Sequence, residues 1–556
     1  MRYRAYFTKH IKMEKIYLLW NTVKYLKFKQ IYYRLKYKIL KPKYYSSNSK
    51  IVLRKKNNEI ELFRFLDQSY LGDNRFHFLN ITQTISSWND DGMSKLWLYN
   101  LHYFDCLNAV GAENLYEKHL MLMRAWKEEN PPMVGNGWEP YPLSLRIVNW
   151  VKFFINNKLE DEALLKSLYS QVLTLSHRLE YHILGNHLFA NIKALIFGTL
   201  FFNTDEMNKI LNKATILLLD ELDEQILVDG GNFERTPMYH NIMLVDLLDL
   251  VWLLKTYSLE NFKQIEFTLI KKAKEMLQWT ETMTFPNGEF GLFNDAALGI
   301  SATRDELIKY FDLLEVDYNF SHKNLGVLKQ SGYVRVNKGF YFGILNVGSV
   351  GPKYLPGHAH ANSLSFELCY KRNRIFVNGG TSVYGNGQER LLQRKTESHN
   401  TVLVNNVDSS EVWSGFRVAR RANVIDFFTR EESDEILVSA KHDGYKRLKN
   451  PVEHKRSWIF KDESFVIEDC LNGDFEEAKA IFVLHPNIGL QVLDDSEVEL
   501  KLNENLSFRL SFENAKNFRV IKGKWNPRFG VSLEVDKIEV IFNGSVLKSI
   551  LTRSLN

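Results

Sequence analysis

The 556-residue sequence predicts a multidomain α-then-β protein, an all-helical domain followed by a large antiparallel β-sandwich, and three observations carry that expectation. Apolar residues recur at intervals of three and four from about residue 90 to residue 325, then at intervals of two. No strand-like run interrupts the helical part, so its helices are expected to stack as hairpins in a toroid or layered array. With 45% hydrophobic residues and this length, more than one core is expected.

The segments Leu143–Phe154, His187–Phe202, Met243–Tyr257 and Leu269–Thr282 each read as an amphipathic or buried helix, with polar loops between them. After about Gly332 come short β-branched or aromatic runs bounded by Gly, Asn and Asp, including Tyr333–Val336, Phe340–Leu345, Thr401–Val404, Ser457–Phe460, Phe465–Ile467 and Val540–Phe542. The change of period falls near Asn324–Gln330, with no low-complexity linker, so the halves are expected to pack directly. The division is therefore a basic extension over 1–60, a helical domain over 61–325 and a sandwich over 326–556.

The net charge of +6 is unevenly placed. Residues 1–56 hold 17 Lys and Arg against Glu14 alone, which leaves the remaining 500 residues at −10. A basic stretch interleaved with Tyr, Phe and Trp suits an anionic membrane surface or an acidic polymer, and peripheral membrane contact is expected of it. The plainer reading is a helical extension that docks Leu26, Ile31 and Leu35 on the next domain. No nucleic-acid module accompanies the charge. Cys106, Cys369 and Cys470 form no disulfide framework and no metal-ligand spacing. The apolar run Ile16–Trp20 is too short for a secretory signal and no stretch reads as a membrane span, so a cytoplasmic protein is expected.

Polar residues stand out at four places. Pro140 and Pro142 introduce a helix on which Arg146, Asn149 and Trp150 are neighbours; an arginine beside aromatics suits a sugar carboxylate or a structural ion pair. In Gly185-Asn-His-Leu-Phe-Ala-Asn191, Asn186 and His187 sit at a helix start, where donors face an anion. The loop Asn232–His240 brings Glu234, Tyr239 and His240 into the next helix. In the hairpin over Gly357–His399, strand parity puts His358 and His360 on one face, although Pro356-Gly357 permits a bulge that separates them.

The motifs NHLFANIKAL, ERTPMYHNIMLVDLLDL, GHAHANSLSFEL and SHNTVLVNNVDSSEVWSGFRVARRA, in this order, resemble the heparinase II/III family of polysaccharide lyases. The resemblance runs from roughly residue 95 through 425. It implies an N-terminal (α/α) toroid, a C-terminal antiparallel β-sandwich and an active site in the cleft between them. It also implies β-elimination on a uronic-acid-containing polysaccharide, an acidic partner. The C5 proton of a uronate is weakly acidic until the carboxylate beside it is neutralised, and the departing 4-oxygen needs a proton. By the resemblance, Asn186 and His187 neutralise the carboxylate, Tyr239 is the acid or combined acid and base, and His358 is the opposite base or assists the tyrosine. Arg146, Glu234 and His240 are expected to support substrate binding.

Zinc is the one cofactor the resemblance raises. Its ligands in metal-bearing relatives would correspond to His360, Asn378 and His399, with Asn378 standing where an aspartate is expected. A neutral amide is a poorer zinc ligand than a carboxylate, so weak or substoichiometric metal is expected. Two other readings compete with the lyase. Glu139, Glu234 and Asp295 offer the paired carboxylates of a glycoside hydrolase, and the lack of an evident export signal fits a non-catalytic polysaccharide-binding or assembly protein.

Overall fold

A computed structural model describes residues 14–47 and 50–554. Residues 14–23 are helical (α1) and are followed by α2 (Phe28–Ile39). A small hairpin, β1 (Arg75–Phe78) and β2 (Ile81–Thr84), precedes the main helices α3 (Lys95–Tyr103), α4 (Tyr116–Glu129), α5 (Pro140–Asn157), α6 (Glu162–Ser176), α7 (Gly185–Phe201), α8 (Asp205–Gln225), α9 (Pro237–Tyr257), α10 (Lys263–Met283) and α11 (Arg304–Leu313). Helices α5, α7 and α9 pack in succession, with α6, α8 and α10 outside them, forming the toroid.

The inner helices are apolar nearly all round, as helices enclosed by others must be. Helix α9 begins where Pro237 supplies a preset φ and needs no N–H partner, directly after Thr236. By length and composition α9 could cross a membrane, contrary to the expectation that no stretch comes close. It is instead a core helix, with Leu244, Leu247, Val251 and Leu254 all buried.

The chain turns to strands at β3 (Leu325–Leu328), which starts a five-stranded antiparallel sheet with β4 (Tyr333–Lys338), β5 (Tyr341–Asn346), β6 (Phe366–Tyr370) and β7 (Asn373–Phe376). A short helix α12 (Gln388–Arg394) precedes β8 (Val402–Val404). A bridge between Phe376 and Leu484 continues this sheet into a four-stranded one that contains β8 and residues 478–483, 517–528 and 531–542. An eight-stranded sheet covers the other face, and one apolar core containing Phe366, Val402, Trp458, Phe482 and Phe508 lies between them.

Two further apolar clusters cross the boundary between the halves. Met238 joins Leu292, Val377, Ile481 and Trp525, and Trp279, Met283 and Phe285 pack on Phe342, Ile344 and Cys369. The halves therefore meet through continuous core. The three cysteines are free thiols.

Candidate active site

A cleft of about 1870 Å³ lies between the toroid and the sandwich, and Asn186, His187, Glu234, Tyr239, His358 and Tyr384 line it. The toroid contributes two helix starts. At the first, Leu184 (φ 72°) and Gly185 (φ 57°) turn the chain into α7. A Cβ on Gly185 would lie 2.4 Å from Leu355 and 2.6 Å from Glu234 Oε1, so only glycine lets the turn seat against both. The Asn186 N–H donates to Glu234 Oε1 (3.1 Å), while its half-buried side-chain amide makes no hydrogen bond among the described residues. His187 pairs Nδ1 with Glu180 Oε1 at 3.1 Å and packs its ring on Tyr141. Burial works against the imidazolium, but the Glu180 carboxylate outweighs it and raises the pKa of His187 above the ordinary value.

At the second helix start, the Thr236 hydroxyl donates to the Asp295 carbonyl (3.1 Å), which fixes the first turn of α9 and aims Tyr239 across the cleft. Its ring lies against His358, centroids 4.1 Å apart, and its hydroxyl is 3.1 Å from that of Tyr384. Burial, reinforced by the charges of Asp295 and Glu234, pushes the phenol pKa up, so Tyr239 is protonated at neutral pH. His358 is held between two carboxylates, with Nδ1 2.9 Å from Asp295 Oδ2 and Nε2 3.3 Å from Glu234 Oε2.

Asp295 is the hub. It is fully buried and accepts from His358, from His360 Nε2 (2.7 Å) and from both terminal nitrogens of Arg390. Burial opposes its charge, yet Arg390 and the two imidazoles hold its carboxyl well below the usual range. Arg390 comes from α12 and Asp295 from the toroid, so one ion pair ties both halves to His358.

Family models place this architecture. One described as Heparinase II/III N-terminus matches residues 27–317, and one described as Heparinase II/III-like, C-terminal, matches 322–550.

The chain belongs to the heparinase II/III family.

It is 25% identical over 412 residues to a heparin-sulfate lyase of Bacteroides stercoris, covering 67% of this chain and 57% of that protein. With the heparin-sulfate lyase of Pedobacter heparinus it shares 22% over 331 residues, 54% of this chain and 49% of that one. The chain thus spans about half the length of the curated relatives it matches. Among solved structures, a heparinase III superposes with a TM-score of 0.65 at 17% identity, covering 83% of this chain and 76% of the other. A heparan sulfate lyase from Pedobacter heparinus gives 0.59 at 17%, covering 95% and 88%. These likenesses establish the shared fold.

Within this heparinase fold two expected binding residues do not reach the cleft. Arg146 is fully buried on the packing face of α5, stacked on Trp126 at 3.7 Å and donating to Gln171 Oε1 (3.0 Å) and the His102 carbonyl (3.3 Å). His240 follows Tyr239 but points about 100° away around the helix. It accepts from the Asn232 N–H (3.1 Å), contacts the Met276 carbonyl (3.0 Å) and stacks on Trp279, and burial lowers its pKa to about 3. Both are packing residues. Glu234, the third of that set, does line the cleft.

The histidine pair is also corrected in its setting. His358 and His360 lie on a loop before β6 rather than on a strand, and only His358 faces the cleft. His360 is buried behind it, its Nδ1 3.2 Å from His399 Nε2. That spacing suits two ligands of one tetrahedral zinc, whose nitrogens sit about 2.0–2.1 Å from the metal. The third position does not suit it: Asn378 offers an amide whose Oδ1 meets the Asn400 N–H at 3.4 Å and whose Nδ2 is buried without a partner. Among the described residues no three His, Cys, Asp or Glu side chains converge on a metal position. Asp295, which meets the other ring nitrogen of His360, is committed to Arg390. The donor set does not fit a strong zinc site, and no chemical step is assigned to a metal.

Nothing local in the sequence marks Tyr384, Arg390 or Glu180 as site residues. Tyr384 and Arg390 lie inside the Gly357–His399 stretch, but a tyrosine in a Gly-rich loop and an arginine in a short helix carry no local mark of function.

Proposed function

We propose that this protein is a polysaccharide lyase that cleaves a uronic-acid-containing polysaccharide by β-elimination. The observation that supports it best is the convergence, across one cleft, of His187, which Glu180 holds toward its protonated form, and a free Asn186 amide with the Tyr239 hydroxyl and the carboxylate-clasped His358. His187 and Asn186 meet the substrate carboxylate and disperse charge that builds as the C5 proton leaves. Tyr239, protonated at neutral pH, gives its proton to the 4-oxygen as the C4–O bond breaks and the C4–C5 double bond forms. The C5 proton passes to His358 Nε2; on the alternative route Tyr239 must first lose its own proton, and the phenolate then takes the C5 proton and hands that same proton to the 4-oxygen. Of the carboxylates of the hydrolase reading, Glu139 binds Tyr99 and Lys95, Asp295 binds Arg390, and Glu234 takes the Asn186 N–H on Oε1 while its Oε2 lies 3.3 Å from His358 Nε2 without a hydrogen bond.

Substitution tests the assignment. Tyr239→Phe keeps the ring and removes the proton donor, so turnover is expected to fall by roughly 10²–10⁴ with the fold intact. His358→Ala separates the two proton routes: a loss as severe as that of Tyr239→Phe makes His358 the base, and a milder loss makes the tyrosine both base and acid. Near wild-type elimination by Tyr239→Phe would overturn the mechanism.

Membrane contact belongs to this proposal as well. On α2 the outward residues Phe28, Ile31, Leu35 and Ile39 form one stripe, with Phe28 81%, Leu35 58% and Ile39 77% exposed, and lysines flank it. An apolar stripe bordered by lysines is complementary to an anionic lipid surface. The protein is expected to sediment with vesicles containing phosphatidylserine, and to be released by salt. Phe28→Ser, Leu35→Ser and Ile39→Ser together are expected to abolish this. Equal binding to purely zwitterionic vesicles, or undiminished binding of the triple variant, would contradict it.

A further inference from the structure

The N-terminal helices do more than present an outer face. Gln30 of α2 is fully buried, and its Nε2 donates to the Ile183 carbonyl of the toroid (3.1 Å) and the Tyr354 carbonyl of the sandwich half (3.4 Å). Lys27 pairs with Glu224 (2.6 Å) and lies over the Tyr354 ring, 3.9 Å from its centroid. On α1, Thr22 Oγ1 accepts from the Trp413 indole N–H at 3.0 Å. This strap is thus bonded to both walls of the cleft. Its crossing is beside the reacting groups, because Ile183 is three residues before Asn186 and Tyr354 four before His358.

The cations near the crossing differ from most others in the cleft. Lys95 is paired with Glu139, Lys524 with Glu389, and Lys152 and Lys193 with Asp249. Arg34 of the strap and Arg417 of the sandwich line the cleft, are exposed, and have no carboxylate partner among the described residues. Arg34 donates to the His182 carbonyl (3.2 Å), and Arg417 lies over the Trp413 ring. Two guanidiniums without a carboxylate partner leave uncompensated positive charge on the cleft wall, which an anion placed there would offset.

We infer that the strap closes the cleft beside the catalytic groups, and that Arg34 and Arg417 seat the carboxylate or sulfate of a terminal sugar unit there, so that the protein acts from a chain end. This rests on the elimination reading and specifies how the polymer enters. An open groove would accept the middle of a chain, whereas a groove crossed by a bonded strap accepts only a terminus on that side.

The test uses the full chain carrying Tyr239→Phe, mixed with size-fractionated heparan sulfate at physiological salt, with the mass of the complex read by sedimentation. One protein per polymer chain at every length is expected. Adding Arg34→Ala and Arg417→Ala, both at exposed positions, is expected to weaken binding at least about tenfold with an unchanged melting temperature. Several proteins on each long chain, or undiminished affinity in the arginine variant, would overturn the inference. A digestion time course with the unsubstituted protein separates the two levels. Ultraviolet absorbance that rises while long polymer persists supports end-on action, and absorbance that rises with rapid shortening overturns it while leaving elimination intact. New reducing ends without absorbance would sink the elimination reading, and the sedimentation stoichiometry would still decide the end-on inference.

Discussion

On the proposed mechanism His187 would set the pH dependence of the cleft, because a charge-neutralising role lasts only while it is protonated. Glu180 keeps it protonated to higher pH than an isolated imidazole. Its raised pKa also makes it a stabilising group, in full below the ordinary histidine pKa of about 6.5 and lost as pH rises through the folded value. Glu180→Gln removes the charge and keeps the shape. The alkaline limb of the kcat/KM profile is expected to move to lower pH, and an unmoved limb would detach His187 from the chemistry. Asn378 makes a second residue-scale prediction. Asn378→Asp supplies a carboxylate beside His360 and His399, so this variant is expected to retain more zinc through gel filtration than the natural chain and to gain thermal stability from it. Equal occupancy by elemental analysis would mean that the two histidines do not present a metal position.

At the scale of elements, the toroid's inner helices are tied by a buried charge network. Lys152 of α5 reaches Asp249 of α9 (2.7 Å), Lys193 of α7 reaches Asp246 (2.6 Å) and Asp249, and Tyr310 of α11 donates to Asp249 (2.8 Å). Burial opposes the Asp249 charge, yet the two lysines pull its pKa down to about 2. Its stabilising contribution is therefore present above the ordinary carboxylate range and lost as pH falls toward 2. Asp249→Asn leaves two buried ammonium groups short of a partner and is expected to cost about 3–5 kcal/mol, read by denaturant unfolding. A change under about 1 kcal/mol would mean that water or Asp246 compensates. The existence of these helices was legible, because Met243–Tyr257 and His187–Phe202 carry long apolar runs. The packing partners of their polar residues were not. Arg146 beside Trp150 has the same local signature whether it faces a sugar or, as here, Trp126 and Gln171, and the difference lies in which neighbouring helix covers that face.

On the scale of the whole molecule, the change of hydrophobic period marked the switch from helices to strands, and the four motifs marked the cleft. The hub at Asp295 was not legible as such, since its partners His358, His360 and Arg390 are 63, 65 and 95 residues away in sequence. Nor was the strap, whose basic composition hid a buried Gln30 that contacts both halves. The clusters around Met238 and Trp279 predict that the halves do not separate freely. Trypsin cutting at the exposed Lys323 is expected to yield a nicked protein that stays together on gel filtration and unfolds in one transition. Fragments that elute apart would refute a shared core. The central claim is the reaction itself, and the most direct measurement is the mass and ultraviolet absorbance of products from a panel of uronic-acid polymers. Elimination predicts an absorbing product whose new non-reducing end carries a double bond, one water lighter than the hydrolytic product. Products of hydrolytic mass with no absorbance would contradict it.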